Sequence, residues 1–265
     1  MLVSALVLAC TSAPGHEFWV LPDRFDTGTD EPFALSMWVG QDFRGERVGV
    51  SNALVVRARM FTARGVRDLA DRLPAAPGVA QWPVQPFGTG AQLVAIDTNP
   101  SSIVLPAQKF TEYLQLEGLE GVLAQRQRSG TADTPGRERY RRNIKTFVNA
   151  GSSAGAERVL ATRTGQRLEI VPDAASWPWH NGRTWRMRLY FDGKPLAGAL
   201  VKFWHRDGDT LTTARAVTSA AGAAEFTPEA PGLWMVSTVH MIPATDTPDF
   251  DWDSYWANVT FELPR

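Results

Sequence analysis

Residues Trp185–Trp204 read WRMRLYF-DGKP-LAGA-LVKFW, and this stretch decides the fold class. In its first seven residues, Trp185, Met187, Leu189 and Phe191 alternate with Arg186, Arg188 and Tyr190. A period of two is that of a strand with one face turned to a core. Asp192-Gly193-Lys194-Pro195 supplies turn chemistry, and Leu200–Trp204 forms the next strand. The pattern continues on both sides. Arg167–Val171 precedes it; Ala221-Gly222 turns into Ala224–Phe226, Pro231-Gly232 into Leu233–Val239, and Ala257–Leu263 follows. Short strands separated by turn residues at this spacing predict an antiparallel, immunoglobulin-like sandwich.

Upstream, the same reading gives strands at Phe18–Leu21, Phe33–Val39, Leu54–Phe61, Leu93–Ile96 and Ile144–Val148. Pro74–Gly90 is rich in Pro, Gly and Ala and reads as a loop. One segment breaks the β pattern. From Ala107 to Arg128, Phe110, Tyr113, Leu114, Leu116, Leu119, Val122 and Leu123 recur near helical spacing, with Gly118 and Gly121 splitting the helix. Arg137–Arg142 (RERYRR) reads as a solvated basic run leading into a strand. Asn149–Gly155 (NAGSSAG) has linker composition. The expectation is a mainly β chain with two β-sandwich-like domains, 16–150 with a helical insertion and 151–265, after a signal segment at 1–15.

With 27 Lys+Arg against 28 Asp+Glu, the formal net charge of the 265-residue chain is −1, which disfavours nucleic acid as a partner. The single cysteine, Cys10, excludes an intramolecular disulfide and a thiolate zinc site. Met1–Cys10 (MLVSALVLAC) is apolar but far short of the roughly 20 residues that span a bilayer, so it reads as the core of an export signal and the mature chain as not transmembrane. Ala13 and Gly15 place small residues for cleavage before His16; Val7-Leu8-Ala9-Cys10 offers the other route, a lipobox that makes Cys10 a lipoprotein anchor. Either route predicts periplasmic or cell-envelope localisation.

Several segments together carry a resemblance. They are His16–Pro22 (HEFWVLP), Val39–Phe43 (VGQDF), Tyr113-Leu114 with Glu117-Gly118-Leu119, Arg139–Arg142 with Lys145, and Gly193–Ala199 (GKPLAGA). His240-Met241, Asp251–Trp256 (DWDSYW) and Phe261-Glu262 complete the set. The chain resembles, from about residue 16 onward, a bacterial exported family of unknown function that carries the label of a nickel-uptake substrate-specific component (NikM-like). Gly193–Gly232 also resembles the prealbumin-like modules of carboxypeptidase regulatory domains. The resemblance implies a mature chain beginning at His16, a divalent transition metal (nickel, cobalt or copper) as cofactor, and a membrane metal transporter as partner.

The four histidines are His16, His180, His205 and His240. Cleavage before His16 makes it a bidentate chelator, since an α-amine and an imidazole both lose protons near neutral pH and suit Ni(II) or Cu(II). His240, read as lying where a strand gives way to the acidic loop Thr245–Asp253, is the expected second ligand. Asp251 is the expected carboxylate, with Asp246, Asp249 and Asp253 as further oxygen donors and Glu17 as an outside candidate. His180 and His205 read as solvated. Trp177, Trp179, Trp185, Trp204, Trp234, Trp252 and Trp256 read as core and loop clamps, with Trp252 and Trp256 sharing a face if that piece is helical.

No nucleophile elbow, phosphate loop, Rossmann glycine pattern or His-Glu-x-x-His helix is present, so the chain reads as a non-enzyme. The function expected is metal uptake or handling. The alternative is a metal-free cell-envelope module that binds a protein or glycan partner.

Overall fold

The computed structural model describes residues 16–74, 78–153, 155–176, 178, 180 and 182–263; the segment 1–15 with Cys10, read above as an export signal, lies outside them, together with Trp177 and Trp179. From the N-terminus run β1 (Glu17–Pro22), β2 (Asp26–Thr27), β3 (Phe33–Gln41), β4 (Arg44–Val48), β5 (Val55–Thr62), β6 (Gly65–Asp68), β7 (Trp82–Val84), β8 (Gly90–Thr98) and β9 (Ser101–Leu105). Helices α1 (Ala107–Leu116) and α2 (Glu120–Arg128) follow, then β10 (Gly136–Ala150) and α3 (Ala156–Leu160). The chain closes with β11 (Leu168–Pro172), β12 (Trp185–Phe191), β13 (Lys194–Pro195), β14 (Leu200–Asp207), β15 (Thr210–Val217), β16 (Ala223–Phe226), β17 (Gly232–Pro243) and β18 (Trp252–Leu263). The mainly β, sandwich-like class holds, and so does the split helix, broken where Gly118 takes φ +66°.

The strands form three sheets in layers. The central sheet has ten strands in the order β15-β14-β17-β18-β10-β8-β5-β6, with β2 and β9 also pairing β10. The segments before and after Gly151 therefore share one sheet, joined where β10 runs parallel to β18 from Glu138↔Trp252 to Thr146↔Thr260. On one face lies the sheet β1-β3-β4 with β7; on the other lies β11-β12-β13 with β16.

Alternation along the central strands explains the layering. On β10, Ile144 and Val148 join Phe18, Val20, Leu35 and Met37 in the core beneath the first small sheet. Phe147, one residue out of phase, joins Leu168, Ile170, Trp185 and Leu189 in the opposite core. A third cluster packs α1 and α2 on the first face through Phe110, Tyr113, Leu114, Val239, Trp252 and Trp256. Trp252 and Trp256 do share a face, but as strand residues, because positions four apart point the same way at a period of two.

The outer edge of β1 is closed by side chains of β18. Asn258 Nδ2 donates to the Phe18 carbonyl and Thr260 Oγ1 to that of Val20, both at 2.6 Å. Satisfying these carbonyls lets β1 lie across the central sheet without leaving those two backbone groups unpaired. The β3–β4 hairpin turns on Asp42 and Phe43, both at φ +54°. A bulky residue seldom adopts this conformation. Here the Phe43 ring is buried edge-on against Trp19, with centroids 5.3 Å apart. Gly40 and Gly45 face each other at the neck of this hairpin, and a Cβ on Gly40 would stand 1.9 Å from the Arg44 carbonyl oxygen.

The Arg137–Arg142 run is part of β10 itself, not a solvated lead-in. Arg137, Arg139 and Arg141 pair with aspartates on one side, while Glu138 is buried on the other. His205 is not solvated either. It is 5% exposed in β14, stacked on Trp234 at 4.5 Å, with its Nε2 2.7 Å from the Pro231 carbonyl. His180 is exposed, as expected.

Candidate functional site

The head of β1 stands over a buried polar cluster on the face that also carries α1. Glu17 is 4% exposed, and its Oε1 accepts a 3.0 Å hydrogen bond from Ser237 Oγ of β17. Ser237 Oγ in turn accepts from Trp204 Nε1 at 2.9 Å. Beside it, Lys202 Nζ of β14 donates to both oxygens of Glu117, at the end of α1, at 2.7 and 2.6 Å. Both partners are almost fully enclosed. Arg142 of β10 donates from Nη2 to the His16 carbonyl at 3.1 Å, and its guanidinium lies 4.3 Å from the Trp256 ring centroid. Its buried Nη1 has no hydrogen-bond partner among the described residues.

A second buried carboxylate adjoins. Glu138 accepts hydrogen bonds from Tyr113 Oη and Ser254 Oγ, and Tyr113 stacks on Trp256 with planes 3° apart. Burial raises the Glu138 pKa from the usual carboxylate value and raises that of Tyr113 as well.

Two buried carboxylates of this protein are solvated by it in opposite ways. Glu169 of β11 accepts from Lys145 Nζ at 2.9 Å, Arg163 Nε at 2.9 Å, and the Thr164 amide and hydroxyl. Burial acts to raise its pKa, but Lys145, Thr164 and Arg163 together outweigh that and hold it down at about 2. Glu169 is thus a saturated structural tie between the central sheet and β11. Glu17 has one hydrogen bond. Burial, then the neighbouring Glu117 carboxylate, push its pKa up to about 7, against smaller opposing effects of Lys202 and Arg142. Acids perturbed in this way cluster at functional sites, and structural ion-pair networks perturb them too.

The structure does not bring His16, His240 and Asp251 together. His240 lies inside β17, paired with Tyr255 of β18, and not at a strand end. Its ring packs on Phe191 of β12 at 4.4 Å, on the far face of the central sheet from β1. Burial lowers its pKa, favouring the neutral ring. Asp251 is held by Arg137, with a 2.6 Å contact from Nη2 and 3.0 Å from the backbone amide. These hydrogen bonds lower its pKa. It stands four residues before Tyr255, about 13 Å along the strand from the position opposite His240. Asp246 and Asp253 are bound to Arg139, and Asp253 also to Arg141. Among the described residues, no group of three or more His, Cys, Asp or Glu side chains is placed to hold a metal ion.

The sequence reading named Glu17 only as an outside candidate and did not single out Glu117, Lys202 or Arg142 as functional. Lys202 carried a usable signal, a lysine set within the apolar run Leu200–Trp204. The other two come from elements 85 and 60 residues away in sequence, and only the fold gathers them.

A layered β protein with a buried acid–base cluster under its first strand is the class these features define. The model of a domain of unknown function, DUF4198, matches residues 13–242, and the chain belongs to that family. No curated protein matches it. Among solved structures it is similar to a tetra-tandem repeat in the extending region of a large adhesion protein, at 10% identity and a TM-score of 0.23. That alignment covers 94% of this chain and 50% of the other, so the chain spans about half its length. Among the described residues no helix is long and apolar enough to cross a membrane.

Proposed function

We propose that this is an exported protein that binds a divalent transition-metal cation (nickel, cobalt or copper) at the head of β1 and serves metal uptake or handling in the cell envelope. The observation that carries the reading is the position of His16. Its carbonyl is anchored by Arg142, directly before a buried carboxylate with a single hydrogen bond. Cleavage before His16 gives the residue a free α-amine, so that amine and imidazole supply two nitrogen ligands from one residue. The resemblance to a family labelled for nickel uptake supports the same reading.

Among the described residues no closed set of side-chain ligands surrounds His16, so the α-amine is essential to this site, and water or a partner group completes the coordination. Beneath it lie three carboxyl groups (Glu17, Glu117, Glu138) and two cationic side chains (Lys202, Arg142), with Glu17 and Glu138 held toward the protonated form by burial. His240 and Asp251 have no part in this site.

The test compares a mature chain beginning at His16, confirmed by mass spectrometry, with a chain carrying one extra residue before it. Nickel and copper titrations are expected to show one tight site in the first and its loss in the second and in His16→Ala. Equal affinity in the free and extended chains would sink the proposal.

A further inference from the structure

On the opposite side of the central sheet, a cleft of about 720 Å³ opens between β5, β10 and the 161–167 turn. Its size lies within the range of small-molecule sites. Four arginines reach it, Arg57, Arg141, Arg163 and Arg167, with Asp192 and Tyr255 at one end. Each guanidinium has an acidic partner, but those partners are occupied from the protein side. Asp97 accepts from Asn143 and Gln166 as well as Arg57. Glu169 is filled by Lys145 and Thr164 as well as Arg163. Asp253 takes two bonds from Arg139 before its 3.1 Å contact with Arg141.

The arginines are therefore pinned by one edge and free at another. Arg141 uses only Nη1, and Arg163 only Nε. Arg57 uses Nε and Nη2. Among the described residues the remaining N–H groups, including both terminal nitrogens of Arg163, have no acceptor. Aromatic rings fix the planes: Arg163 lies 3.5 Å from the Tyr190 centroid and Arg167 4.5 Å from that of Tyr255. These side chains are 28–44% exposed, so their free edges face the cleft water and not the core. Preorganised guanidinium edges with spare donors match the paired oxygens of a carboxylate or phosphate.

We propose that this cleft is a binding site for a small anion carrying carboxylate or phosphate groups, held by the free edges of Arg57, Arg141 and Arg163. Arg167 is spent on Asp192 and on the Tyr255 hydroxyl and serves to close the end of the cleft. The site is independent of the metal reading, since it lies on the other face of the sheet from His16.

The experiment is calorimetric titration of the full mature chain, stripped of metal, with succinate and separately with inorganic phosphate at low ionic strength. Saturable binding of either is expected, and which one binds tells carboxylate from phosphate chemistry. Arg141→Ala gives up one contact to an aspartate that keeps Arg139, so it should fold and weaken binding about ten- to a hundredfold. Arg163→Gln is the second variant, and Arg186→Gln, from the exposed Arg186–Glu225 pair outside the cleft, is the control. Binding unchanged in Arg141→Ala and Arg163→Gln, equal losses in the control, or no saturation by either anion would each overturn the proposal.

Discussion

Replacing Glu17 with Gln isolates the energetic cost of the buried acid. In the folded chain its carboxyl titrates at about 7, against an ordinary value of 4.5. A raised folded pKa means the native state binds the proton more tightly than the unfolded chain does. The contribution to stability is then complete below pH 4.5 and is lost as pH rises through 7. A displacement of this size corresponds to ~3 kcal/mol, withdrawn from the wild type between mildly acid and mildly alkaline pH. The amide keeps the shape and the bond from Ser237 but has no proton to lose. Denaturant midpoints and thermal unfolding at half-unit steps from pH 4.5 to 8.5 read the difference directly, because other titrating groups are common to both proteins. The variant should match the wild type near pH 4.5 and melt about 6–12 °C higher at pH 8.5. Parallel curves for the two proteins would refute the reasoning, since they would mean that Glu17 is solvated in the folded chain.

Lys202→Met leaves the Glu117 carboxylate buried without its partner and should cost ~3–5 kcal/mol. Adding Glu117→Leu should recover most of that loss in a double-mutant cycle, and failure to recover would show that the pair is not an isolated tie. Gly40→Ala drives a Cβ against the Arg44 carbonyl at 1.9 Å. The β3–β4 hairpin must then open, lowering the denaturation midpoint by ~1–3 kcal/mol equivalent and exposing Phe43 to solvent, which near-ultraviolet dichroism of Trp19 reads out.

Strands whose faces alternate cleanly were legible. Trp185–Phe191 was read to the residue, and β1, β3, β11 and β14 to within three at each end. What escaped were β4, β6, β9 and β15, whose side chains are largely exposed and carry no apolar face to mark a period, and β7, three residues within the Pro74–Gly90 stretch that reads as a loop. The parallel pairing of β10 with β18 was also invisible, because nothing local to either strand encodes a partner more than a hundred residues away. The candidate site followed the same rule. His16 and Glu17 stand out by their place after the apolar stretch Met1–Cys10, whereas Lys202, Glu117 and Arg142 acquire meaning only from proximity. His240 was misplaced for a specific reason. The strand that holds it continues to Pro243, so its ring points into the second core instead of toward an acidic loop.

The slot filled by β18 has a consequence for how the chain reaches this structure. β18 is the last of the described strands, yet it lies between β17 and β10 in the middle of the widest sheet. Until it arrives, β10 lacks its parallel neighbour, β17 has a bare edge, and the carbonyls of β1 lack Asn258 and Thr260. Contacts of such long sequence separation make folding slow and late. A chain shorter than this strand can assemble the core beneath the first small sheet, which takes no residue from β18, but not the opposite one, which needs Tyr255, Ala257, Val259, Phe261 and Leu263. The order of strands along the chain thus makes the second core the last to close.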